Sequence, residues 1–401
     1  MKSWPTFSDL LISVAKGWRR RKNDECLLSL ALPIPNVDPL LKFRHLAGDH
    51  TYRFLWDKTP ALCIAAAGRC QHFDLSGPRR FDLAQRFADA TMSRLLDLTP
   101  QAPLQAKPRI FFAFSFFEQP SERKNFSSLP PGVQAVIPRW QLSRESDSSW
   151  LRLNALASDE AEARELVEKI WLMRDCLFEE THSVEDLGKF YNFSYSGSSH
   201  WENAYKPSLE RGIDLVNKGV LEKLVLAVRH SIFLEEPLDP LDLLFRLRNE
   251  AGGSCRFLWQ RSNQEVFFGA SPERLLDLYG NQLSIDALAG TASRGDKGDG
   301  LLRSDKDLRE HGIVVSSINK KLLQLGLTPQ RSIHPKLARY GELVHLHTPI
   351  NATVNDCSPL QLVELLHPTP AVAGVPRPEA LSWLKTLEPF QRGGYAAPIG
   401  W

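Results

Sequence analysis

The sequence predicts an α+β fold with large, mostly antiparallel sheets and helices packed on their outer faces. Three observations favour it. In the first half, one β-prone run follows another with few helices between them, which does not fit a regular βαβ repeat. Turn-rich clusters such as "DLSGPRR" and "SLPPG" separate these runs. At 401 residues and 43% hydrophobic content, the chain also has enough material for a large core.

The first half contains one amphipathic helix, several strands and two longer helices. The amphipathic helix is predicted from Phe7 to Trp18, where apolar residues recur at helical spacing. The predicted strands are Cys26 to Leu32, Arg53 to Trp56, Ala61 to Gly68, Ile110 to Phe117 and Trp150 to Leu156. The predicted helices are Phe81 to Leu98 and Asp159 to Leu177.

The second half has clearer signals. The stretch Thr181 to His200 is polar and aromatic without a clear period, which indicates a connector. A helix near Glu202 to Lys218 then ends at Gly219, the residue type expected after a helix. The further predicted helices are Pro240 to Glu250 and Ser304 to Gly326. The predicted strands are Leu221 to Val228, Cys255 to Gln260, Glu265 to Ala270, Gln282 to Ala289 and Val344 to Ile350.

Composition and charge exclude several classes of protein. Charged residues make up 24% of the chain and the net charge is +2, so the one-sided basic surface of a nucleic-acid binder is not expected. No run approaches the roughly 18 apolar residues that a membrane span needs. The six cysteines are scattered without metal-ligand spacing, which is typical of reduced thiols in a cytoplasmic protein.

Lys223 is the first candidate for chemistry. If Leu221 to Val228 is a strand, alternation places Lys223 on one face with Leu221, Val225 and Ala227. Loss of water from such a site favours the neutral amine, which can act as a base. The alternative is a lysine near the start of the strand that extends its ammonium group to solvent.

Glu273 follows the apolar run "VFFGASPERLL" directly after a bend of small residues. A carboxyl group in an apolar setting holds its proton more tightly and can act as a general acid. The alternative is a residue at the start of a helix, where the helix dipole favours a carboxylate.

Two further segments are candidates for ligand and metal binding. In "ALAGTASRGD", the small side chains allow a ligand to approach the backbone N–H groups of Gly290 and Thr291. In "SDKDLREHGIVV", Glu310 lies on a partly apolar helix face that suits a hard cation such as Mg²⁺. A small-residue loop that binds nothing, and a charged helix start with ordinary ion pairs, are the alternatives.

Together and in this order, the motifs resemble the chorismate-binding enzyme family, most closely its isochorismate synthases. The resemblance runs from about Trp201 to Trp401 and rests on "KLVLA", "GASPERLL", "ALAGTASRG", "KDLREHGIVV" and "HPTPAVAGVPRPEAL". It implies a fold like that of anthranilate synthase component I. Residues 1–180 are then a variable N-terminal half and residues 181–401 the chorismate-binding region of one structural domain.

The resemblance also implies the reaction. Family members that add water to chorismate carry a lysine where Lys223 stands, and members that attack with a lysine of their own carry it where this chain has Ala289. Water is therefore the implied nucleophile, with Lys223 as general base and Glu273 as the acid that protonates the departing C4 hydroxyl. Salicylate synthase, another chorismate-using enzyme and a non-catalytic protein of the same fold remain alternatives.

By the same resemblance, Glu310 matches a carboxylate that binds Mg²⁺. Gly290, Thr291, His345 and Tyr395 match residues that line the chorismate site. In the family, the "GW" that ends this sequence is followed by a segment with further metal-binding glutamates, so the resemblance implies that the C-terminal segment is lacking. It also implies a monomer without a glutaminase subunit.

Overall fold

The computed structural model describes residues 5–19, 26–118, 130–179, 191–195, 198–293, 295 and 300–401. Within these ranges the predicted α+β architecture is confirmed, with two large sheets and helices packed against them. The connector predicted over Thr181 to His200 and the loop around Ser293 to Asp296 lie partly outside the described residues. None of the helices within these ranges has the length and apolar character needed to cross a bilayer.

The helices begin and end as follows: α1 Phe7–Trp18, α2 Phe43–Ala47, α3 Arg80–Arg94, α4 Glu160–Phe178, α5 Ser198–Asn217, α6 Pro240–Glu250, α7 Asp305–Gln324, α8 Pro359–Leu366 and α9 Arg377–Leu387. Several start at the residue types that cap helices. The side chains of Thr6, Asp159, Asp239 and Ser304 each accept a hydrogen bond from a backbone N–H of the first turn.

The strands are β1 Cys26–Ile34, β2 Arg53–Asp57, β3 Leu62–Leu75, β4 Leu95–Asp97, β5 Phe111–Phe114, β6 Val133–Glu145, β7 Ser148–Ala157, β8 Phe193–Tyr195, β9 Lys223–Leu224, β10 Ile232–Leu234, β11 Cys255–Ser262, β12 Glu265–Ser271, β13 Asp277–Tyr279, β14 Gln282–Ser293, β15 Gln330–Arg331, β16 Lys336–Tyr340, β17 Leu343–Thr353, β18 Gly374–Val375 and β19 Ile399–Gly400.

The larger sheet has the order β12-β11-β2-β3-β6-β7-β1-β4, and β5 pairs with both β6 and β19. Its strands come from both halves of the chain, because β11 pairs with β2. The smaller sheet has the order β13-β14-β17-β15, with β16 also on β17. Among the described pairs, β1 and β4 run parallel and the others run antiparallel.

Each large sheet has its own hydrophobic core. The first lies between the larger sheet and helices α1, α2, α4 and α6. The second lies between β14, β17, α7 and α8, where alternate strand residues such as Ile285, Ala287 and Ile350 face Val314 and Ile318 of the helix. The opposite face of β14 and β17 carries polar side chains, as the two-residue period of a strand requires.

The first half differs from the prediction in several places. The helix predicted to reach Leu98 ends at Arg94, and β4 then pairs in parallel with β1. The strand predicted to end at Gly68 continues to Leu75 as β3. β6, a central strand of the larger sheet, was not predicted. Pro138 lies inside β6, and proline is rare in central strands because it has no N–H to donate. Here it pairs beside a bulge in β3, where the register of the two strands shifts.

Candidate active site

Lys223 lies on β9 and pairs with Val375 of β18. Its side chain is 10% exposed, and its Nζ lies 2.8 Å from Oε1 of Glu310 on α7. The ammonium group is therefore not extended to solvent. It is buried between the smaller sheet's helix and the short β9–β18 pair.

The strand predicted around Lys223 is much shorter than expected. Only Lys223 and Leu224 are in β9. Val225 N–H still donates to the Ala373 carbonyl at 2.8 Å, but the backbone groups beyond it bond to side chains. Ala227 N–H donates to Glu388 Oε1 at 2.8 Å, and the Arg392 guanidinium donates to the Val225 carbonyl at 2.8 Å. Leu221 and Ala227 at the two ends of the segment are buried, while the residues from Lys223 to Leu226 between them are all partly exposed.

Glu273 lies in the turn between β12 and β13, and not at the start of a helix. Its N–H donates to Ser271 Oγ at 3.3 Å, which holds the bend. Burial raises the pKa of the Glu273 carboxyl to about 7, while the nearby Thr369 hydroxyl and Lys223 ammonium oppose the rise. A carboxyl group with this pKa is protonated in a large fraction of molecules near neutrality, as a general acid must be.

Gly290 and Thr291 lie on β14 where the register with β17 shifts. Gly290 has φ +78°, and an added Cβ would come within 3.3 Å of Leu346. Glycine therefore allows the bulge that turns Thr291 toward His345, with Thr291 Oγ1 at 2.9 Å from His345 Nδ1. Burial lowers the pKa of His345, so its ring is neutral at neutral pH and its hydrogen bond depends on the tautomer.

Glu310 and His311 follow each other on α7 but differ in environment. The Glu310 side chain is 36% exposed beside Lys223, whereas His311 is buried with its Nε2 2.8 Å from Thr348 Oγ1. Burial lowers the pKa of His311. His311 thus joins α7 to β17, and Glu310 is directed toward the candidate base.

The described residues contain no group of three or more His, Cys, Asp or Glu side chains arranged to hold a metal ion. Glu310 nevertheless fits one ligand of Mg²⁺, because this ion is often held by one or two carboxylates together with substrate oxygens and water. The carboxylate is partly exposed and already attracts a cation, the Lys223 ammonium.

Tyr395 is an exposed member of the candidate set. Its side chain is 57% exposed, and its N–H donates to the Arg392 carbonyl at 2.9 Å in the turn before β19. The structure thus brings Lys223 close to Glu273 and Glu310, and Thr291 close to His345.

Three residues that surround the site were not predicted from the sequence. Thr369 belongs to "HPTPAVAG", which indicates a loop, yet its hydroxyl is buried near Glu273. Asp286 lies on β14 and accepts from His347, with 2.9 Å between Asp286 Oδ1 and the ring Nε2. The alternation of β14 and β17 could have predicted that Asp286 and His347 lie on one face of the sheet. It could not have predicted the register that brings them together.

Three comparisons with known proteins bear on this site. The chain is 27% identical over 398 residues to "Isochorismate synthase MenF" of Bacillus subtilis, which covers 94% of this chain and 82% of that protein. Its fold matches MenF, the menaquinone-specific isochorismate synthase of Escherichia coli, with a TM-score of 0.74 at 22% identity, over 98% of this chain and 86% of that one. It also matches anthranilate synthase component I of Streptococcus pneumoniae, with a TM-score of 0.62 at 16% identity over 92% and 86%.

The two structural matches confirm the predicted likeness to the anthranilate synthase component I fold. Residues 12–401 match the family described as "Chorismate binding enzyme". This range includes both large sheets, the short β9–β18 pair and every candidate site residue. The chain therefore belongs to the chorismate-binding enzyme family.

Proposed function

We propose that this chain is an isochorismate synthase, which converts chorismate to isochorismate. The observation that carries the proposal is the pairing of a buried ammonium, Lys223, with a nearby carboxyl, Glu273, whose pKa is raised to about 7. A reaction that adds water at one ring carbon and removes hydroxide from another needs one base and one acid at the same time. Membership of the family and the MenF relatives supply the substrate class.

In the proposed reaction Lys223 takes a proton from a water molecule whose oxygen attacks C2 of the chorismate ring. The two ring double bonds shift, the C4–O bond breaks, and Glu273 gives its proton to the departing hydroxyl, which leaves as water. Lys223 can accept a proton only as the neutral amine. Its ion pair with Glu310 must therefore open when substrate binds.

The other site residues bind and orient the substrate. The N–H groups of Gly290 and Thr291 at the β14 bulge face the substrate in this proposal, and the neutral His345 ring and Tyr395 hydroxyl offer hydrogen bonds. Glu310 would hold Mg²⁺ together with the ring carboxylate of the substrate. When bound, the ion supplies positive charge that offsets the carboxylate.

We further propose a cytoplasmic monomer that acts without a glutaminase subunit in menaquinone or phylloquinone formation. None of the six cysteines, all of which lie in the described ranges, forms a disulfide, which agrees with a reducing compartment. The Escherichia coli MenF that this fold matches is menaquinone-specific, which supports the quinone pathway. Sedimentation of the purified chain would test the monomer.

The direct test is incubation of the chain with chorismate and Mg²⁺, with products separated by chromatography. Isochorismate as the main product supports the proposal. Salicylate with pyruvate would instead indicate salicylate synthase, and an aminated product formed with ammonia would indicate a different reaction. Unchanged chorismate would contradict the proposal and favour a non-catalytic member of the family.

Substitutions test the roles of the two central residues. Lys223→Ala and Glu273→Gln should each lower turnover by roughly 10² to 10⁴, the usual contribution of a general base or acid. Lys218→Ala is the matched control, because this lysine is exposed at the end of α5 and pairs with Asp214. Turnover near the wild-type rate in either site variant would contradict the acid and base assignment.

A further inference from the structure

The turn that carries Glu273 is fastened to β14 by its next residue. Arg274 Nε donates to Asp286 Oδ2 at 2.9 Å, and its NH2 group donates to Asp286 Oδ1 at 3.3 Å. The backbone repeats the connection, because Asp286 N–H donates to the Arg274 carbonyl at 3.4 Å. Three hydrogen bonds thus join one residue of the turn to one residue of the strand.

Asp286 is itself held from a second side. Oδ1 lies 2.9 Å from Nε2 of His347, which stands on the neighbouring strand β17. The Asp286 side chain is 13% exposed and the Arg274 side chain 34%. This is therefore a largely buried, two-pronged pair, which fixes geometry more firmly than an exposed ion pair does.

We propose that Arg274 and Asp286 are the positioning residues of the acid: their ion pair fixes the turn so that the Glu273 carboxyl faces Lys223. The proposal rests on the proposed function, in which Glu273 is the acid. Arg274 and Asp286 do not touch the reacting atoms. They act through the backbone of the turn, since a carboxyl displaced by about 1 Å can lose much of its catalytic effect.

The charge of Asp286 has a second effect on the acid. The groups that act on Glu273 are the Lys223 ammonium of β9, the Thr369 hydroxyl after α8 and the Asp286 carboxylate of β14. Asp286 is the negative one among them, and it favours the protonated form of Glu273. Asp286 in turn faces Arg274 and His347, which hold the pKa of its own carboxyl low despite burial.

The chain offers a matched control for this pair. Arg274 also contacts Asp277, with 3.2 Å between NH1 and Oδ2, but the Asp277 side chain is 59% exposed. Asp277→Asn removes a carboxylate from the same guanidinium and leaves the connection to β14 intact. A general weakening of the β13–β14 hairpin would change the Glu273 titration and turnover in both variants. The positioning role predicts that they change in Asp286→Asn alone.

The experiment follows the Glu273 carboxyl directly. Glutamate labelled with ¹³C at the carboxyl carbon reports each titration by NMR, and the Glu273 signal is identified by its loss in Glu273→Gln. In Asp286→Asn the midpoint should fall by roughly half a pKa unit or more, because one nearby negative charge is removed. In Asp277→Asn it should stay at the wild-type value.

Turnover of chorismate supplies the second readout. Asp286→Asn and Arg274→Lys should each lower kcat roughly tenfold or more with little change in KM, because the substrate contacts remain. Arg274→Lys keeps the positive charge but loses the two-pronged contact with Asp286. It should therefore lower kcat and shift the Glu273 titration less than Asp286→Asn does. It also serves if Asp286→Asn does not fold.

The outcomes separate the two proposals. A Glu273 titration and a kcat unchanged by both substitutions would overturn the positioning role. If the wild-type chain leaves chorismate unchanged, the proposed function fails. The NMR titration then still decides whether Asp286 controls the Glu273 carboxyl, because it needs no turnover.

Discussion

At the scale of single residues, burial gives Lys223 and Glu273 properties that their sequence neighbours do not share. The Lys223 ammonium is taken from water and compensated by Glu310. The Glu273 carboxyl is taken from water with incomplete compensation, so its pKa rises to about 7. An uncompensated buried acid is unfavourable for folding when it ionises.

This imbalance predicts how Glu273→Gln changes stability with pH. The folded protein holds the proton up to about pH 7, whereas the unfolded chain releases it near the ordinary value of 4.5. Wild-type stability therefore falls as pH rises through this window, and the variant avoids the loss. We expect Glu273→Gln to be more stable by on the order of 1 to 3 kcal/mol at pH 8, and equal at pH 4.

Thermal unfolding at the two pH values measures this effect. Glu342→Gln is the control, because Glu342 is exposed in the turn before β17. Its stability should equal that of wild type at each of the two pH values. A Glu273→Gln variant less stable than wild type at pH 8 would show that the carboxyl is not penalised by burial.

At the scale of elements, the short β9–β18 pair places the candidate base. Gly374 faces Leu224, and Val375 faces Lys223, across two antiparallel strands. An added Cβ on Gly374 would lie 2.3 Å from the Lys223 carbonyl oxygen and 2.9 Å from Ala380. The close approach of the two backbones therefore requires glycine.

Gly374→Ala should force the two strands apart. We expect a loss of stability of roughly 1 to 3 kcal/mol, as in other overpacked cores. We also expect turnover to fall even at temperatures where the variant stays folded, because Lys223 moves with its backbone. Gly252→Ala is the control, since nothing lies within 4 Å of its added Cβ. Wild-type melting temperature and turnover in Gly374→Ala would refute the placement.

At the scale of the whole molecule, buried ion pairs join the two halves of the chain. Asp57 ends β2, and its carboxylate contacts Arg248 of α6 at 2.7 Å and Arg256 of β11 at 3.1 Å. These contacts link the first half to the second within the larger sheet. The Arg248 and Arg256 side chains are 12% and 1% exposed, so bulk water could not solvate either guanidinium group in place of the Asp57 carboxylate.

Asp57→Asn should destabilise the entire fold. Arg256 would lose the carboxylate that it contacts, and Arg248 would keep only that of Asp38. Breaking a buried ion pair in this way commonly costs about 3 to 5 kcal/mol. The pKa of Asp57 is lowered to about 2, because the arginines and Thr59 outweigh burial. Its contribution is therefore fully present above its ordinary pKa of 3.8 and is lost as pH falls through about 2.

Urea unfolding at pH 7 and near pH 2 checks this prediction. The difference between wild type and Asp57→Asn should be large at pH 7 and small near pH 2. Asp89→Asn, an exposed position on α3, should change neither value. Equal stability of wild type and Asp57→Asn at pH 7 would show that the two halves do not depend on this pair.

The parts of the structure that depend on local signals were predictable. Helix α6 begins after Asp239 and at Pro240, residue types that start helices, and its predicted bounds agree with the structure. β6 was not predicted, because Pro138 is tolerated only through a bulge in its partner β3. No local signal in β6 reveals that partner.

The candidate site follows the same division. The residue types Lys223, Glu273 and Glu310 could be selected from motifs, and their roles stay predictions. Their environment could not be selected, because the Lys223–Glu310 pair and the charge of Asp286 near Glu273 depend on distant segments meeting in space. The strand expected around Lys223 was too long for the same reason, since the Val225 carbonyl and the Ala227 N–H bond to the side chains of Arg392 and Glu388.

Those side chains give the segment after Lys223 an unusual kind of support. The Val225 carbonyl and the Ala227 amide are held by Arg392 and Glu388, which bind each other with 2.8 Å between Nε and Oε2. The Ala227 amide proton can therefore exchange with deuterium from solvent only when its contact with the buried Glu388 carboxylate opens. Its exchange rate should follow the opening of a single ionic contact, and not the fraying of a sheet edge.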